Sequence, residues 1–192
     1  MEVSSIAGQL LRLAQERGSI TYGDYILSSG QKSNYYFDGR RLTLDPEGSY
    51  LVGQAFRQLL DSTDVQAIGG PTMGADPIVT AVALTSQLDG KPIAAFIVRK
   101  DVKAHGTGQL IEGPLKKGSR VAIVDDSCST GGSLLHAVAA AEAAGCTVVQ
   151  VMAILDRHQG GSDELRRRGY DFVCLLEASA EGKVTVVGEK GS

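Results

Sequence analysis

From residue 65 to residue 179 the chain alternates between short apolar runs and helical stretches, and no other feature limits its possible folds as much. VQAIGG, PIAAFIVR, RVAIVDD, TVVQVMAILD and YDFVCLLEAS read as strands; DPIVTAVALTSQL, GGSLLHAVAAAEAAG and SDELRRRG read as helices. These strands carry apolar residues at successive positions rather than at every second one, so both faces must be covered, and the intervening helices supply the cover. The pattern predicts an α/β fold with a mainly parallel central sheet flanked by helices. Ligands of such sheets sit outside the carboxyl ends of the strands. That directs attention to the residues after Arg99, Asp125 and Asp156 and to the loop beginning at Gly69.

The first 64 residues are organised differently. Ile6, Leu10, Leu13 and Ala14 recur at helical spacing after Ser4 and Ser5 and stop at Gly18, which predicts a capped amphipathic helix. A second helix is predicted from Asp45-Pro46-Glu47, a side-chain cap followed by a first-turn proline, carrying Leu51, Val52, Ala55, Phe56, Leu59 and Leu60. Between them SITYGDYILSSGQKSNYYFDGR predicts short extended pieces and turns. The tail GKVTVVGEKGS reads as a last edge strand or a loose end.

At 192 residues the chain fits one globular domain, 1–192, and is expected to be soluble. Its start, MEVSSIAGQL, has no basic segment followed by an apolar one and does not read as a secretion signal. The longest apolar run, near IAAFIV, is six residues, against the roughly 20 needed to span a bilayer. Three cysteines, Cys128, Cys146 and Cys174, form no C-x-x-C pair. A cytoplasmic setting is the expectation. The net charge of −3 speaks against general binding to nucleic acid or anionic membranes, so a polyanion needs locally clustered cations.

VAIVDDSCSTGGS, residues 121–133, holds the densest chemistry. Ser129, Thr130, Gly131, Gly132 and Ser133 stand where a strand hands over to a helix, and backbone N–H groups there favour a phosphate. No Walker lysine and no G-x-G-x-x-G before a helix accompanies them, which excludes the ordinary nucleoside-triphosphate and dinucleotide readings. Asp125 and Asp126 accept hydrogen bonds only, so they suit a pair of hydroxyls or a hydrated magnesium ion. A ribose 5-phosphate has both ends. The stretch resembles the phosphoribosyl pyrophosphate motif of the type I phosphoribosyltransferases, which implies that Asp125, Asp126, Ser127, Cys128 and Ser129 to Ser133 contact that substrate.

VRKDVKAHGTGQLIEG, residues 98–113, gathers Arg99, Lys100, Lys103 and His105 within seven residues and follows them with Gly106 and Gly108. Like charges at that density call for an anion, and the glycines predict a loop that moves; a diphosphate would fit. The spacing R-K-x-x-K-x-H-G-x-G resembles the catalytic loop of the orotate phosphoribosyltransferases. The resemblance implies catalytic roles for Lys103, Arg99, His105, Asp125 and Asp126, and phosphoribosyl pyrophosphate contacts from Arg99, Lys100, Lys103 and His105. It further implies a small N-terminal hood from about residues 1–40 with a possible contribution from the tail, and a homodimer in which loop 99–113 completes the neighbouring site. Magnesium is implied as cofactor, held mainly by substrate, with Asp125 and Asp126 as its candidate protein contacts.

SGQKSNYYFDGR and ILDRHQGG resemble the base-binding segments of the same family. They imply that orotate meets Tyr36, Phe37, Arg157 and Ser129, with the Arg157 guanidinium matched to the planar carboxylate. Two lysines usual in that family are absent: Ser28 and Gly74 stand in their places. His136 reads as packed or exposed rather than catalytic, and Cys128 has no identifiable partner for nucleophilic work. Two other readings share the ribose-phosphate motif: a purine-base phosphoribosyltransferase, and a phosphoribosyl-pyrophosphate-sensing regulator with a DNA-binding region or broad basic face.

Overall fold

The computed structural model describes residues 2–26, 32–101 and 110–188. Its elements in chain order are α1 (Val3–Glu16), β1 (Ile20–Ile26), β2 (Lys32–Phe37), α2 (Arg40–Thr43), α3 (Pro46–Leu59), β3 (Ala67–Pro71), α4 (Asp76–Leu88), β4 (Ala94–Val98), β5 (Ile111–Glu112), β6 (Arg120–Cys128), α5 (Gly132–Ala143), β7 (Thr147–Asp156), α6 (Gly161–Arg167), β8 (Phe172–Ala178) and β9 (Val184–Val186). Seven strands form one sheet in the order β5-β4-β3-β6-β7-β8-β9. Its five inner strands run parallel, and the edge strands β5 and β9 are antiparallel to their neighbours.

The unbroken apolar runs have their cause in this layering. Successive strand residues point to opposite faces. Ala122, Val124, Met152 and Ile154 bury one face against apolar residues of α1, α3 and α4, while Val121, Ile123, Val151 and Ala153 bury the other against α5 and α6. Polar residues on either set would be stranded.

Asp45 opens α3 as predicted: one carboxylate oxygen accepts the N–H groups of Glu47 and Gly48 at 3.0 and 3.1 Å, with Pro46 in the first turn. At α1 the expectation is corrected. Ser4 and Ser5 lie inside the helix, and Glu2 precedes it with no side-chain cap bond. Burial of Ile6, Ala7, Leu10, Leu13 and Ala14 carries this helix, outweighing a missing cap of about 1 kcal/mol. The loop expected from Gly69 also begins later, because Gly69, Gly70 and Pro71 complete β3 and pair with Phe96, Ile97 and Val98.

The tyrosine-rich stretch forms an antiparallel pair, β1 with β2, separate from the large sheet. The tail anchors it. The Asn34 amide donates to the Glu181 carbonyl, and the Val184 N–H donates to the Tyr22 hydroxyl at 3.4 Å. Among the described residues no helix is long and apolar enough to cross a membrane.

Candidate active site

Strand β3 connects to β4 on one side and lies beside β6 on the other, so the chain reverses direction across the sheet between β3 and β6. Crevices open at such points, outside the carboxyl ends of the strands. Here the residues after β3, Thr72 to Gly74, and two near the carboxyl end of β6, Asp125 and Asp126, wall a recess of about 530 Å³ together with Arg40, Lys100, Gly132, Ser133 and His136. The two acids are pinched between bare backbone. A Cβ at Gly74 would lie 2.5 Å from the Asp125 carboxylate, and one at Gly39 would lie 2.6 Å from that of Asp126. Asp125 is 8% exposed and its Oδ1 accepts the Asp126 N–H at 2.9 Å. Burial first, and the charge of Asp126 second, push its carboxyl up to about 8. Burial also raises Asp126, against the opposing pull of the Ser127 hydroxyl and the Arg40 guanidinium.

The anion loop is shorter than the sequence suggests. Ser127 and Cys128 belong to β6, which pairs with β7 as far as Cys128 opposite Asp156. The Cys128 side chain is buried beside Leu134, Ala137, Leu165 and Phe172, and burial drives its thiol up to about 12. Its thiol therefore faces the core rather than the recess and is not poised as a nucleophile; its carbonyl accepts the Arg157 N–H at 2.9 Å. Gly131 turns the chain with φ 80° into α5, a conformation that suits glycine. The turn is held by close approach to a second glycine: a Cβ at Gly161 would lie 2.6 Å from the Ser129 carbonyl oxygen, which accepts the Gly161 N–H at 2.9 Å. Gly132 and Ser133 reach the recess wall, whereas Ser129 and Thr130 do not.

Of the four predicted loop cations, Lys103 and His105 lie outside the described residues. Lys100 lines the recess. Arg99 turns elsewhere, its Nη1 3.7 Å from a Glu112 carboxylate oxygen. Its backbone is pinned twice: the N–H donates to Leu110 at 2.8 Å, and the carbonyl accepts from His136 Nε2 at 3.0 Å.

The predicted base-site residues divide between two spaces. Tyr36 and Phe37 line the acid recess, Tyr36 exposed and Phe37 mostly buried in the core. Arg157 lines a neighbouring recess of about 910 Å³ with Tyr35, Asn34, His158 and Gln159. There its Nε donates to the Tyr35 hydroxyl at 3.1 Å, and its guanidinium carbon lies 4.9 Å from the centre of the Tyr35 ring.

The model of the phosphoribosyl transferase domain family matches residues 45–190. An orotate phosphoribosyltransferase of a Nostoc species is 43% identical over 176 residues, covering 91% of this chain and 84% of the relative. One from Aquifex aeolicus is 42% identical over 174 residues, covering 89% and 94%. The chain belongs to the orotate phosphoribosyltransferase family. Among solved structures, the orotate phosphoribosyltransferase of Mycobacterium tuberculosis in complex with 5-phospho-alpha-D-ribosyl 1-diphosphate superposes with a TM-score of 0.72 at 35% identity, covering 91% of this chain and 95% of that one.

For an orotate phosphoribosyltransferase, two details correct the weight given to individual residues. His136 is exposed, and it stands on the recess wall. The place of a family lysine at Gly74 lies against the Asp125 carboxylate, and Arg40 stands on the same recess wall. Sequence reasoning missed Tyr35, His136 and Arg40. Strand alternation offered a signal only for Tyr35, which faces the opposite side of β2 from Tyr36. Ser28 lies outside the described residues.

Proposed function

We propose that the protein transfers the 5-phosphoribosyl group from phosphoribosyl pyrophosphate to orotate, giving orotidine 5-phosphate and diphosphate, as a step of pyrimidine (UMP) biosynthesis in the cytoplasm. The observation that carries the reading is the single recess onto which the acid pair and the start of α5 both open. One sugar can meet acceptors at its hydroxyls and backbone donors at its phosphate there. As the bond from C1 to diphosphate lengthens, positive charge builds on the ribose and negative charge on the leaving group, so positioning and electrostatics supply most of the catalysis. Asp125 and Asp126 hold the ribose beside its cationic centre. Lys100 and Arg40 stand on the same wall for the diphosphate, with Lys103 and His105 joining from the cationic loop and Arg99 reaching it on release from Glu112. Arg157 and Ser129 receive the orotate end, with Tyr36 and Phe37 bordering it.

Magnesium fits this arrangement as a substrate-held ion. Among the described residues no group of three or more His, Cys, Asp or Glu could hold a metal, while two adjacent carboxylates can take a hydrated ion whose other ligands are phosphate oxygens and water. When bound, it neutralises charge on the departing diphosphate. Its arrival would also draw the raised Asp125 carboxyl back toward ionisation.

The whole chain, 1–192, acts as one phosphoribosyltransferase unit with β1 and β2 as its hood. A second copy sits on the face carrying Leu44, Met73 and Leu84, which are 70%, 63% and 62% exposed around one groove. Met73 and Arg40 line both that groove and the acid recess, so a partner there lies next to the chemistry. Light scattering checks the dimer, and a Leu84→Lys chain that stays dimeric would move the interface elsewhere.

The deciding assay mixes the purified protein with magnesium, phosphoribosyl pyrophosphate and, in turn, orotate, uracil, adenine and hypoxanthine, following base absorbance. Orotate alone should be consumed. Turnover of a purine, or binding of phosphoribosyl pyrophosphate without turnover of any base, would overturn the proposal.

A further inference from the structure

We infer that Tyr35 is a positioning residue for carboxylate recognition: it holds the Arg157 guanidinium by stacking and by its hydroxyl, so that the Nη edge alone faces the base. The inference rests on the orotate reading and deepens it.

Arg157 is constrained from both ends. Its backbone N–H donates to the Cys128 carbonyl at 2.9 Å. The next residue, His158, takes a left-handed φ of 48°, and its N–H is accepted by Asp156 Oδ1 at 2.9 Å. Such a conformation is uncommon for a residue with a Cβ, and it marks a place where the surrounding structure dictates the path of the chain. At the far end the guanidinium lies over the Tyr35 ring, 4.9 Å from its centre, within reach of a cation–π attraction. Nε is engaged by the Tyr35 hydroxyl at 3.1 Å. Tyr35 is itself 5% exposed and packed in the apolar core, so the anchor is held by its surroundings.

What remains is informative. Arg157 Nη2 is buried and has no hydrogen-bond partner among the described residues, and no ion pair to Arg157 forms among them. Leaving a buried cationic donor unsatisfied is expensive. A guanidinium presents paired donors in a rigid plane, and with Nε taken it is the Nη1–Nη2 edge that can bind a planar carboxylate, end-on. The tyrosine thus selects which edge is offered and in what plane.

Tyr35→Phe keeps the ring and removes only the Nε partner. Loss of one hydrogen bond to a charged group is expected to raise the KM for orotate about 10-fold. The KM for phosphoribosyl pyrophosphate should hold. Tyr35→Ala removes the stack as well and should cost more. In competition binding, the Tyr35→Phe penalty should appear for orotate and vanish for its uncharged methyl ester, a difference that a merely structural role of Tyr35 would not produce. Arg157→Gln run alongside separates the two levels. An orotate KM unmoved by Arg157→Gln would overturn the carboxylate reading and this inference with it. An orotate KM raised by Arg157→Gln but within 2-fold of the parent, or equal penalties for acid and ester, in Tyr35→Phe would overturn the inference alone.

Discussion

Two neighbouring strands leave the sheet through the same three residues. Gly131-Gly132-Ser133 follows β6 and Gly160-Gly161-Ser162 follows β7, and the first glycine of each is left-handed, at φ 80° and 91°. Only the first of these turns opens onto the acid recess. The difference lies in what comes next. Helix α5 runs 12 residues with no acid in its first turn, and Ser133 is exposed. Helix α6 runs seven residues with Asp163 and Glu164 in its first turn, and Ser162 is buried. Those acids already complement the positive end of the helix. A glycine-rich helix start is ready for an anion only where the chain leaves that end electrically unfilled; the second turn serves instead as a brace for the first.

Making the two helix starts alike is the most direct way to break this contrast. Ser133→Asp gives α5 the first-turn acid that α6 has, and the KM for phosphoribosyl pyrophosphate should rise on the order of 100-fold or more, from like-charge repulsion at short range. Initial rates with the sugar varied measure it, and an unmoved KM would take the phosphate away from α5.

The bracing role is tested at the glycine contact. Gly161→Ala puts a methyl group 2.6 Å from the Ser129 carbonyl oxygen and 2.7 Å from the Thr130 carbonyl carbon, both backbone. Chemical denaturation should show a loss of about 1–3 kcal/mol, with a lower affinity for the activated sugar. Gly132→Ala meets nothing nearer than the Thr130 hydroxyl at 4.0 Å, and its stability should stay within about 0.5 kcal/mol of the parent.

A smaller effect concerns the buried acid of β6. Folded Asp125, pushed up to about 8, retains a proton that an unfolded carboxyl releases near ~4. The folded state therefore binds more protons over that interval, and this group makes the protein less stable as pH rises through it. Asp125→Asn keeps an Oδ1 acceptor for Asp126 and removes the titration. Its advantage in melting temperature should widen by at least ~2 °C between pH 5 and pH 8.5, and a constant gap would mean that Asp125 is ionised in the folded chain. Smallest of all, Asp163→Asn on the highly exposed first turn of α6 should leave kcat/KM within about 2-fold and stability within about 0.5 kcal/mol.

The layered sheet was legible because two-faced burial writes itself into consecutive residues: 147–156 and 76–88 coincide with β7 and α4. Adjacent charges on one strand end, such as Asp125 and Asp126, were legible for the same local reason. What the sequence hid depends on elements distant along the chain. Tyr35 and Arg157 meet across 122 residues, and His136 reaches the Arg99 carbonyl across 37. Nor does spacing reveal that Arg99 faces Glu112, or that β6 continues through Ser127 and Cys128 because β7 offers partners that far. Such contacts follow from strand order, which periodicity does not encode.

The glycines at 39 and 74 have a consequence for the history of this chain. A side chain at either position would take the room of a carboxylate, so drift there displaces an acid of the sugar grip, and a randomised library selected for growth without added pyrimidine should be enriched in glycine at both. Adaptation of the sugar grip must then come from the rim, at residues such as Arg40 and Met73, where variation has space.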